Sequence, residues 1–199
     1  MIVCEGEKTE PNYFKAIRND FPIGTIVIVD IEGTGKNTLG IIDECISIRN
    51  KSFKKYDRIW AVFDRDSFPA VKFDNAINKA EANNIRCAWT NEAFELWFIL
   101  HFQYVNTPLD RDSYKSYLER EVRRKGLTNY TYFKNSPLTY NLLKSIGNED
   151  QAIAWAKLLE DVFKDKSYSK HNPCTKVHLL IEELNNPEEI ITSINNPDA

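Results

Sequence analysis

The chain has 199 residues, a formal net charge of −3, and 42% hydrophobic and 12% aromatic residues. These proportions supply a packed core and exclude an intrinsically disordered chain. The slightly acidic balance also excludes a general polycation, so any nucleic-acid binding must depend on local basic patches or on metal-bridged phosphates.

The cysteines and histidines indicate neither a zinc site nor a disulfide framework. The four cysteines form no CxxC pair, and the three histidines do not complete a zinc-binding spacing. Cys4, Cys45 and Cys87 fall inside apolar stretches, where a reduced thiol is a small core residue. We therefore expect a reducing, cytoplasmic location. No apolar run approaches the roughly 20 residues that span a bilayer, so no membrane association is expected.

The first half of the chain alternates strand patterns with helical patterns. Strands are predicted at 2–4, 25–31, 58–63 and 85–89, and helices between them at 10–18, 37–49 and 72–83. This alternation indicates right-handed βαβ units on a parallel sheet. We expect a four-stranded, parallel α/β core over residues 1–100. Because Met1 leads directly into the first strand, we also expect further sequence upstream in the full-length protein.

The second half changes character, with helical patterns and loops but no convincing strand. Helices are predicted at 92–103, 112–125, 151–163, 175–184 and 187–195, with a polar loop at 164–172. We expect residues 101–199 to form a helical extension that packs on the core in a single compact unit.

Two of the predicted strands end directly in carboxylates. Glu5 follows the first strand, and Asp64 and Asp66 follow the third. Ligands of open α/β sheets bind just beyond the carboxyl ends of the strands. Three carboxylates gathered there repel one another unless a cation lies between them, and Mg²⁺ or Mn²⁺ suits such oxygen ligands. The alternative is that each carboxylate only caps the following helix, whose N-terminus favours negative charge.

The apolar helix predicted after the fourth strand begins with two glutamates. Glu92 and Glu95 are three residues apart and share a face of that helix. Glu95 lies between large apolar residues, where a carboxylate is costly without a partner, so it is a candidate further metal ligand. Glu92 and Glu7 are candidates to contact the metal-binding carboxylates and hold them in position. Glu10, beside Pro11, is assigned to the N-terminus of its own helix.

The acidic motifs resemble those of a known metal-binding domain. Glu5-Gly6-Glu7 and Asp64-Arg65-Asp66 resemble the Toprim pattern, a glutamate after the first strand and Asp-x-Asp after the third. The stretches "VCEGEKTEPNYF", "VFDRDSF", "NEAFELWFILHF" and "NPCTKVHLLIEEL" further resemble the RloB-like family, Toprim-like proteins associated with restriction loci and phage defence. That resemblance covers nearly the whole chain and implies a Toprim-like, Rossmann-like sheet.

The resemblance also implies roles for the acidic residues. Glu5 would act as general base or metal ligand, and Asp64 and Asp66 would hold Mg²⁺ or Mn²⁺. Such a metal neutralises a phosphate, lowers the pKa of a bound water and stabilises the leaving oxygen. The resemblance therefore implies a metal-dependent endonuclease that hydrolyses phosphodiester bonds of RNA, tRNA or DNA in anti-phage defence.

Several basic residues are candidates to contact the substrate phosphates: Lys8, Lys36, Lys176, Arg123 and Arg124. Lys36 follows a glycine-rich turn before a helix, although the turn lacks the spacing of a Walker A loop. Arg123 and Arg124 belong to a basic cluster near Tyr114, Tyr117, Tyr130 and Tyr132. Aromatic side chains beside cations suit single-stranded nucleic acid.

We expect nucleic acid as the partner, with other defence-system proteins and a second copy of the chain as further candidates. One alternative is a catalytically silent Toprim-like module that binds nucleic acid or acts as an adaptor. Another is a phosphatase with Asp64 as nucleophile, because Asp-x-Asp also opens haloacid-dehalogenase-type sites. That family carries its aspartates on the first strand of the core, whereas here they follow the third.

Overall fold

The computed structural model describes residues 1–22, 29–35, 38–66 and 68–187. Four sequence predictions fall partly or wholly outside these ranges: residues 25–28 of the second predicted strand, Lys36, residue 37 of the second predicted helix, and residues 188–195 of the last predicted helix.

The described residues form an α/β fold around a mostly parallel sheet. Its strands are β1 (Ile2–Cys4), β2 (Ile31–Gly33), β3 (Trp60–Asp64), β4 (Arg86–Asn91) and β5 (Cys174–Thr175). They lie side by side in the order β2-β1-β3-β4-β5. The first four strands are parallel to one another, as the βαβ pattern predicts. The parallel α/β core predicted from the sequence is therefore present.

The prediction of a four-stranded sheet was wrong, because β5 adds a fifth strand from the second half of the chain. β5 pairs antiparallel with the end of β4, and Thr175 lies opposite Thr90. The hydroxyl groups of these two threonines are hydrogen-bonded at 2.9 Å. A two-residue strand is too short to show an alternating pattern, so nothing in the sequence marks it as a strand.

Helices cover both faces of the sheet. They are α1 (Thr9–Asn19), α2 (Thr38–Lys51), α3 (Ala70–Ala82), α4 (Glu95–Leu100), α5 (Ser113–Arg124), α6 (Thr139–Ile146), α7 (Glu149–Asp161) and α8 (Val177–Asn185), with a 3-10 turn at Tyr168–Lys170. The helix predicted at 92–103 is shorter than expected, and α6 was not predicted. Every residue of α4 is buried, as its almost continuous apolar composition indicates.

The alternation of side chains along the strands creates a hydrophobic core on each side of the sheet. Val3 and Phe63 face a core shared with α2 and α3. Cys4 and Val62 face the other core, which also contains residues of α1 and of the helices of the second half. The second half of the chain thus packs on the α1 side of the sheet, and α4 lies in the middle of that layer.

Two tyrosines predicted to lie on the surface are buried. Tyr114 and Tyr132, expected to help form an aromatic nucleic-acid surface, are 1% and 5% exposed and belong to the core. That expectation was wrong because both rings face inward across the layer formed by α4 and α5.

All four cysteines are free thiols. Within the described ranges, no helix is both long enough and apolar enough to cross a membrane.

Candidate active site

Glu5 and Asp64 meet at the carboxyl edge of the sheet. β1 and β3 are parallel neighbours, and the pairing of Cys4 with Val62 brings the ends of the two strands level. The backbone N–H of Glu5 donates to the carbonyl oxygen of Val62 at 2.8 Å. The backbone N–H of Asp64 donates to Oε2 of Glu5 at 3.1 Å. The Glu5 side chain is therefore oriented by the backbone of the neighbouring strand.

Asp64 is half-buried, and only part of its carboxyl group is satisfied. Its Oδ2 accepts a hydrogen bond from the backbone N–H of Phe94 at 3.1 Å. Its Oδ1 is buried and has no hydrogen-bond partner. Burial raises the pKa of Asp64 well above its ordinary value, and the nearby carboxylates of Glu10, Glu95 and Glu5 raise it further. An unpartnered buried carboxylate oxygen is costly unless a proton or a cation satisfies it.

Two buried glutamates lie beside this half-buried pair. Glu10 in the first turn of α1 and Glu95 at the start of α4 are each 8% exposed. Burial raises the pKa of Glu10, and the carboxylate of Glu95 contributes to that rise. Oε1 of Glu95 accepts a hydrogen bond from the hydroxyl of Tyr132 at 2.9 Å. We call these four side chains the acidic cluster: Glu5, Glu10, Asp64 and Glu95.

The assignment of Glu10 to its helix N-terminus alone was incomplete. Glu10 does lie in the first turn of α1, but its carboxyl group turns back over the loop that follows β1. A Cβ atom at Gly6 would collide with that carboxyl group, so the absence of a side chain at Gly6 leaves the space that Glu10 occupies. The glycine after Glu5 therefore helps to bring a fourth carboxylate into the site.

The pKa of Glu5 is suited to proton transfer. Burial raises it to about 7, while the hydrogen bond from the Asp64 backbone opposes the rise. A carboxyl group with a pKa near 7 is present in both protonation states at neutral pH. Such a group can accept a proton from water and later return it.

Asp66, the third predicted ligand, has a different neighbour. It occupies a turn with φ +42°, and its backbone N–H donates to the carbonyl oxygen of Glu92 at 3.1 Å. Its carboxylate forms an ion pair with Arg111. The positive charge of Arg111 also opposes the burial-driven rise in the pKa values of Glu5 and Glu10. Arg111 therefore lies at the rim of the acidic cluster, between it and Asp66.

The acidic cluster has the chemistry of a site for a hard divalent cation, although its side chains are not closed around a common point. In the described part of the chain, no group of three His, Cys, Asp or Glu side chains could hold a metal ion as it stands. The donors are nonetheless carboxylate oxygens, the ligands that Mg²⁺ and Mn²⁺ prefer. The unpartnered Oδ1 of Asp64 is a vacant acceptor in their midst. The donor atoms of these residues and their burial are therefore suited to Mg²⁺ or Mn²⁺.

The other acidic and basic candidates near the first strand lie further out. Glu7 and Lys8 are exposed, and Lys8 occupies the position before the first residue of α1. Glu92 is half-buried, and its backbone N–H donates to the hydroxyl of Tyr114 at 3.4 Å. These residues border the acidic cluster along the chain without adding to its buried charge.

Three of the predicted phosphate contacts are engaged elsewhere. Lys176 forms an ion pair with Glu160 and lines a cavity of about 900 Å³ at the opposite, amino edge of β3 and β4. Arg124 binds Glu121 at 2.9 Å on α5. Arg123 pairs with a glutamate on the same helix and donates through Nε to a backbone carbonyl oxygen of the next loop at 2.9 Å. The structure therefore does not bring these cations to the acidic cluster.

Sequence reasoning missed the residues that border the acidic cluster from the second half of the chain. Arg111, Tyr132 and Lys134 all come from loops around α5, and Lys134 opposes the burial-driven rise in the pKa of Glu10. No local motif marks them, because their proximity to the first strand depends entirely on how the second half packs. In the sequence, only Glu95, which lies between large apolar residues, indicated that the second half of the chain contributes to the site.

Comparisons with known proteins agree with the motif pattern. A family model described as "RloB-like protein" matches residues 1–184. Searches of curated proteins and of solved structures gave no match.

Proposed function

Because the chain belongs to the RloB-like family, we propose that its acidic cluster hydrolyses phosphodiester bonds of nucleic acid with Mg²⁺ or Mn²⁺, in defence against phage. The observation that carries the proposal is the buried, unpartnered Oδ1 of Asp64 beside Glu5 at the carboxyl edge of the sheet. Ligand sites of parallel α/β sheets lie at this edge. The order of the motifs supports a Toprim-like site, with glutamate after β1 and Asp-x-Asp after the adjacent β3.

Asp64 would hold the cation, with Glu10 and Glu95 as the nearest further carboxylates and Asp66 as the ligand that the Toprim pattern adds. The bound metal would supply charge neutralisation of the phosphate and a more acidic water. The chain contributes the enclosure, since Glu10, Glu95 and Oδ1 of Asp64 are shielded from bulk water. Shielding strengthens every charge interaction in the site.

Glu5 is the best candidate for the general base. Its Oε2 is occupied by the backbone N–H of Asp64, which leaves the other carboxylate oxygen to accept a proton. With a pKa of about 7, Glu5 can take a proton from the attacking water at neutral pH. At the rim, Arg111 and Lys134 provide positive charge that attracts a phosphate toward an otherwise acidic site.

Two observations favour the second candidate, a catalytically silent module that binds nucleic acid or serves as an adaptor. Asp66 is paired with Arg111, and the described residues contain no ready group of three metal-binding side chains. In that case the acidic cluster would hold no metal, and the basic rim alone would serve binding.

A cutting assay with the purified protein separates the two candidates. Labelled RNA, tRNA and DNA are incubated with Mn²⁺, with Mg²⁺ and with a chelator, beside the variants Asp64→Asn and Asp43→Asn. Asp43 is an exposed aspartate of α2 paired with Lys79 and serves as the matched control. We expect metal-dependent cutting by the wild type and the control and none by Asp64→Asn.

Two results would overturn the nuclease proposal. One is the absence of cutting together with the absence of Mn²⁺ binding in calorimetry. The other is cutting that Asp64→Asn leaves unchanged, since the activity would then come from a contaminant or another site. Turnover of an aryl phosphate without cutting of any nucleic acid would favour a phosphatase instead.

A further inference from the structure

The loop between α5 and α6 (residues 125–138) is fastened to the two helices that carry the buried glutamates. The hydroxyl of Tyr132 donates to Glu95 of α4 at 2.9 Å. Three residues later, Oδ1 of Asn135 accepts from the hydroxyl of Thr9 at 2.8 Å, and its carbonyl oxygen accepts from Nδ2 of Asn12 at 2.9 Å. Both α1 residues lie next to Glu10. Residues 132–135 of this loop therefore run along the rim of the acidic cluster.

The same loop is also held from α5. Oε1 of Glu119 accepts from the backbone N–H of Tyr132 at 3.0 Å. Arg123 binds the other oxygen of Glu119 at 3.0 Å and donates through Nε to the carbonyl oxygen of Tyr130 at 2.9 Å. Arg123, predicted as a phosphate contact, is thus a structural support of this loop. With contacts on both sides, the loop presents its outward side chains in a defined position.

The outward side chains between the anchors are an aromatic ring and a cation. Phe133 is 71% exposed and belongs to neither hydrophobic core. Lys134 follows it and is exposed, and its charge acts on Glu10. An exposed phenylalanine on a well-anchored loop contributes little to the stability of the fold. An aromatic face beside a cation is the combination that binds the base and phosphate of an unpaired nucleotide.

We propose that Phe133 and Lys134 dock an unpaired nucleotide of the nucleic acid beside the acidic cluster, with the ring stacked on the base and the ammonium group on a phosphate. This inference rests on the proposed function, because the nucleotide belongs to the substrate of that site. The ligand is single-stranded or looped, because the faces of paired bases are already covered by their neighbours in a duplex. Stacking tolerates any base, so the docking point selects for unpaired structure rather than for sequence.

The chain contains a matched control for this pair. Phe53 and Lys54 form the same dipeptide, and Phe53 is fully exposed. They lie at the opposite edge of the sheet, where Lys54 pairs with Asp30, which precedes β2. We therefore compare two double variants, Phe133→Ala/Lys134→Gln and Phe53→Ala/Lys54→Gln. Each removes one aromatic ring and one positive charge, but from a different place.

Binding is measured by fluorescence anisotropy with the full chain, in chelator so that nothing is cut. The probes are a labelled single strand of mixed sequence, as RNA and as DNA, and the blunt duplex of each. We expect the Phe133→Ala/Lys134→Gln variant to bind single strands roughly tenfold more weakly than wild type, with little change for the duplexes. The Phe53→Ala/Lys54→Gln variant should bind as wild type, and Phe133→Trp alone should retain binding.

The inference is overturned if the Phe133 variant binds single strands as wild type does, or if the Phe53 variant loses as much. Unchanged nucleic-acid binding would leave this rim as a surface for a protein partner. The test is independent of cutting. If no protein cuts but the Phe133 variant alone loses single-strand binding, the nuclease proposal fails and the docking point stands. If wild type and the Phe133 variant cut and bind alike, the nuclease proposal stands and the docking point fails.

Discussion

Oε2 of Glu5 accepts a hydrogen bond from the backbone N–H of Asp64 at 3.1 Å, across 59 residues of chain. This contact joins the ends of two parallel strands and places two carboxyl groups side by side. It leaves the Asp64 carboxyl group bound through Oδ2 to the Phe94 backbone, with Oδ1 buried and unpartnered. That arrangement costs free energy in the metal-free protein.

The first prediction concerns Asp64→Asn, which we expect to stabilise the metal-free protein at pH 8 while abolishing Mn²⁺ binding. Asparagine keeps an oxygen for the Phe94 N–H but carries no charge into a buried site with three glutamates. Relief of that repulsion should raise the free energy of unfolding by about 1 kcal/mol or more. Urea titration and calorimetry measure the two effects, with Asp43→Asn as the exposed control. A lower stability would indicate that the carboxyl group is needed for the fold itself.

The second prediction concerns the pH dependence contributed by Glu5. Its pKa is about 7 in the folded protein and 4.5 as a free side chain. Between these values the folded state binds more protons than the unfolded state, so the contribution of Glu5 to stability falls as pH rises. It is fully present below the lower value and lost through the upper one. Asp64 and Glu10, whose pKa values are also raised by burial, act in the same direction.

Other groups act in the opposite direction, so the measurement uses Glu5→Gln as the comparison. Burial lowers the pKa of His101 to about 4 and also lowers that of His178, which makes stability rise with pH over the acid range. Subtracting wild type from Glu5→Gln cancels those terms. We expect the stability gained by the variant to grow from near zero at about pH 4 to on the order of 1–3 kcal/mol at about pH 8. A difference that does not change with pH would contradict the raised pKa.

The third prediction concerns Tyr132→Phe. The lost hydroxyl donates to Glu95 at 2.9 Å, and its removal leaves a buried carboxylate oxygen without that donor. The expected cost is about 1–2 kcal/mol of stability in metal-free protein at neutral pH. If the acidic cluster cuts nucleic acid, the rate should also fall, because Glu95 loses the contact that orients it. Tyr130→Phe, on the same loop and half-buried, is the control for both readouts. Equal effects of the two variants would mean that the loop rather than this contact matters.

The fourth prediction concerns Arg111→Gln. Arg111 pairs with Asp66 and opposes the raised pKa values of Glu5 and Glu10. Because it already neutralises part of the acidic charge, its removal should tighten Mn²⁺ binding several-fold at low salt. The same change should weaken capture of the phosphate and slow cutting. Calorimetry measures metal binding and the cutting assay measures the rate. Lys79→Gln is a half-buried control on the other side of the sheet. Weaker metal binding would show that Arg111 organises the site rather than competing with the cation.

Only the site residues that belong to short contiguous motifs could be predicted from the sequence. Glu5 and Asp64 each follow an apolar strand directly, so their place at the sheet edge follows from the chain order of the strands. Asp66 shares that motif, but its turn and its ion pair with Arg111 were not predictable from the spacing. Glu10 looked like a residue of the helix N-terminus because its burial depends on α4 and on the α5–α6 loop.

The sequence by itself determined the parallel α/β core and the two acidic strand ends, because apolar periodicity and the residues that end a strand act over a few neighbours. Only the tertiary structure decided that Glu10, Glu95, Arg111 and Tyr132 converge on them, and that β5 closes the edge of the sheet. These contacts join residues far apart in the chain. They arise where the second half packs its buried surface on the α1 side of the sheet, and no short pattern encodes that geometry.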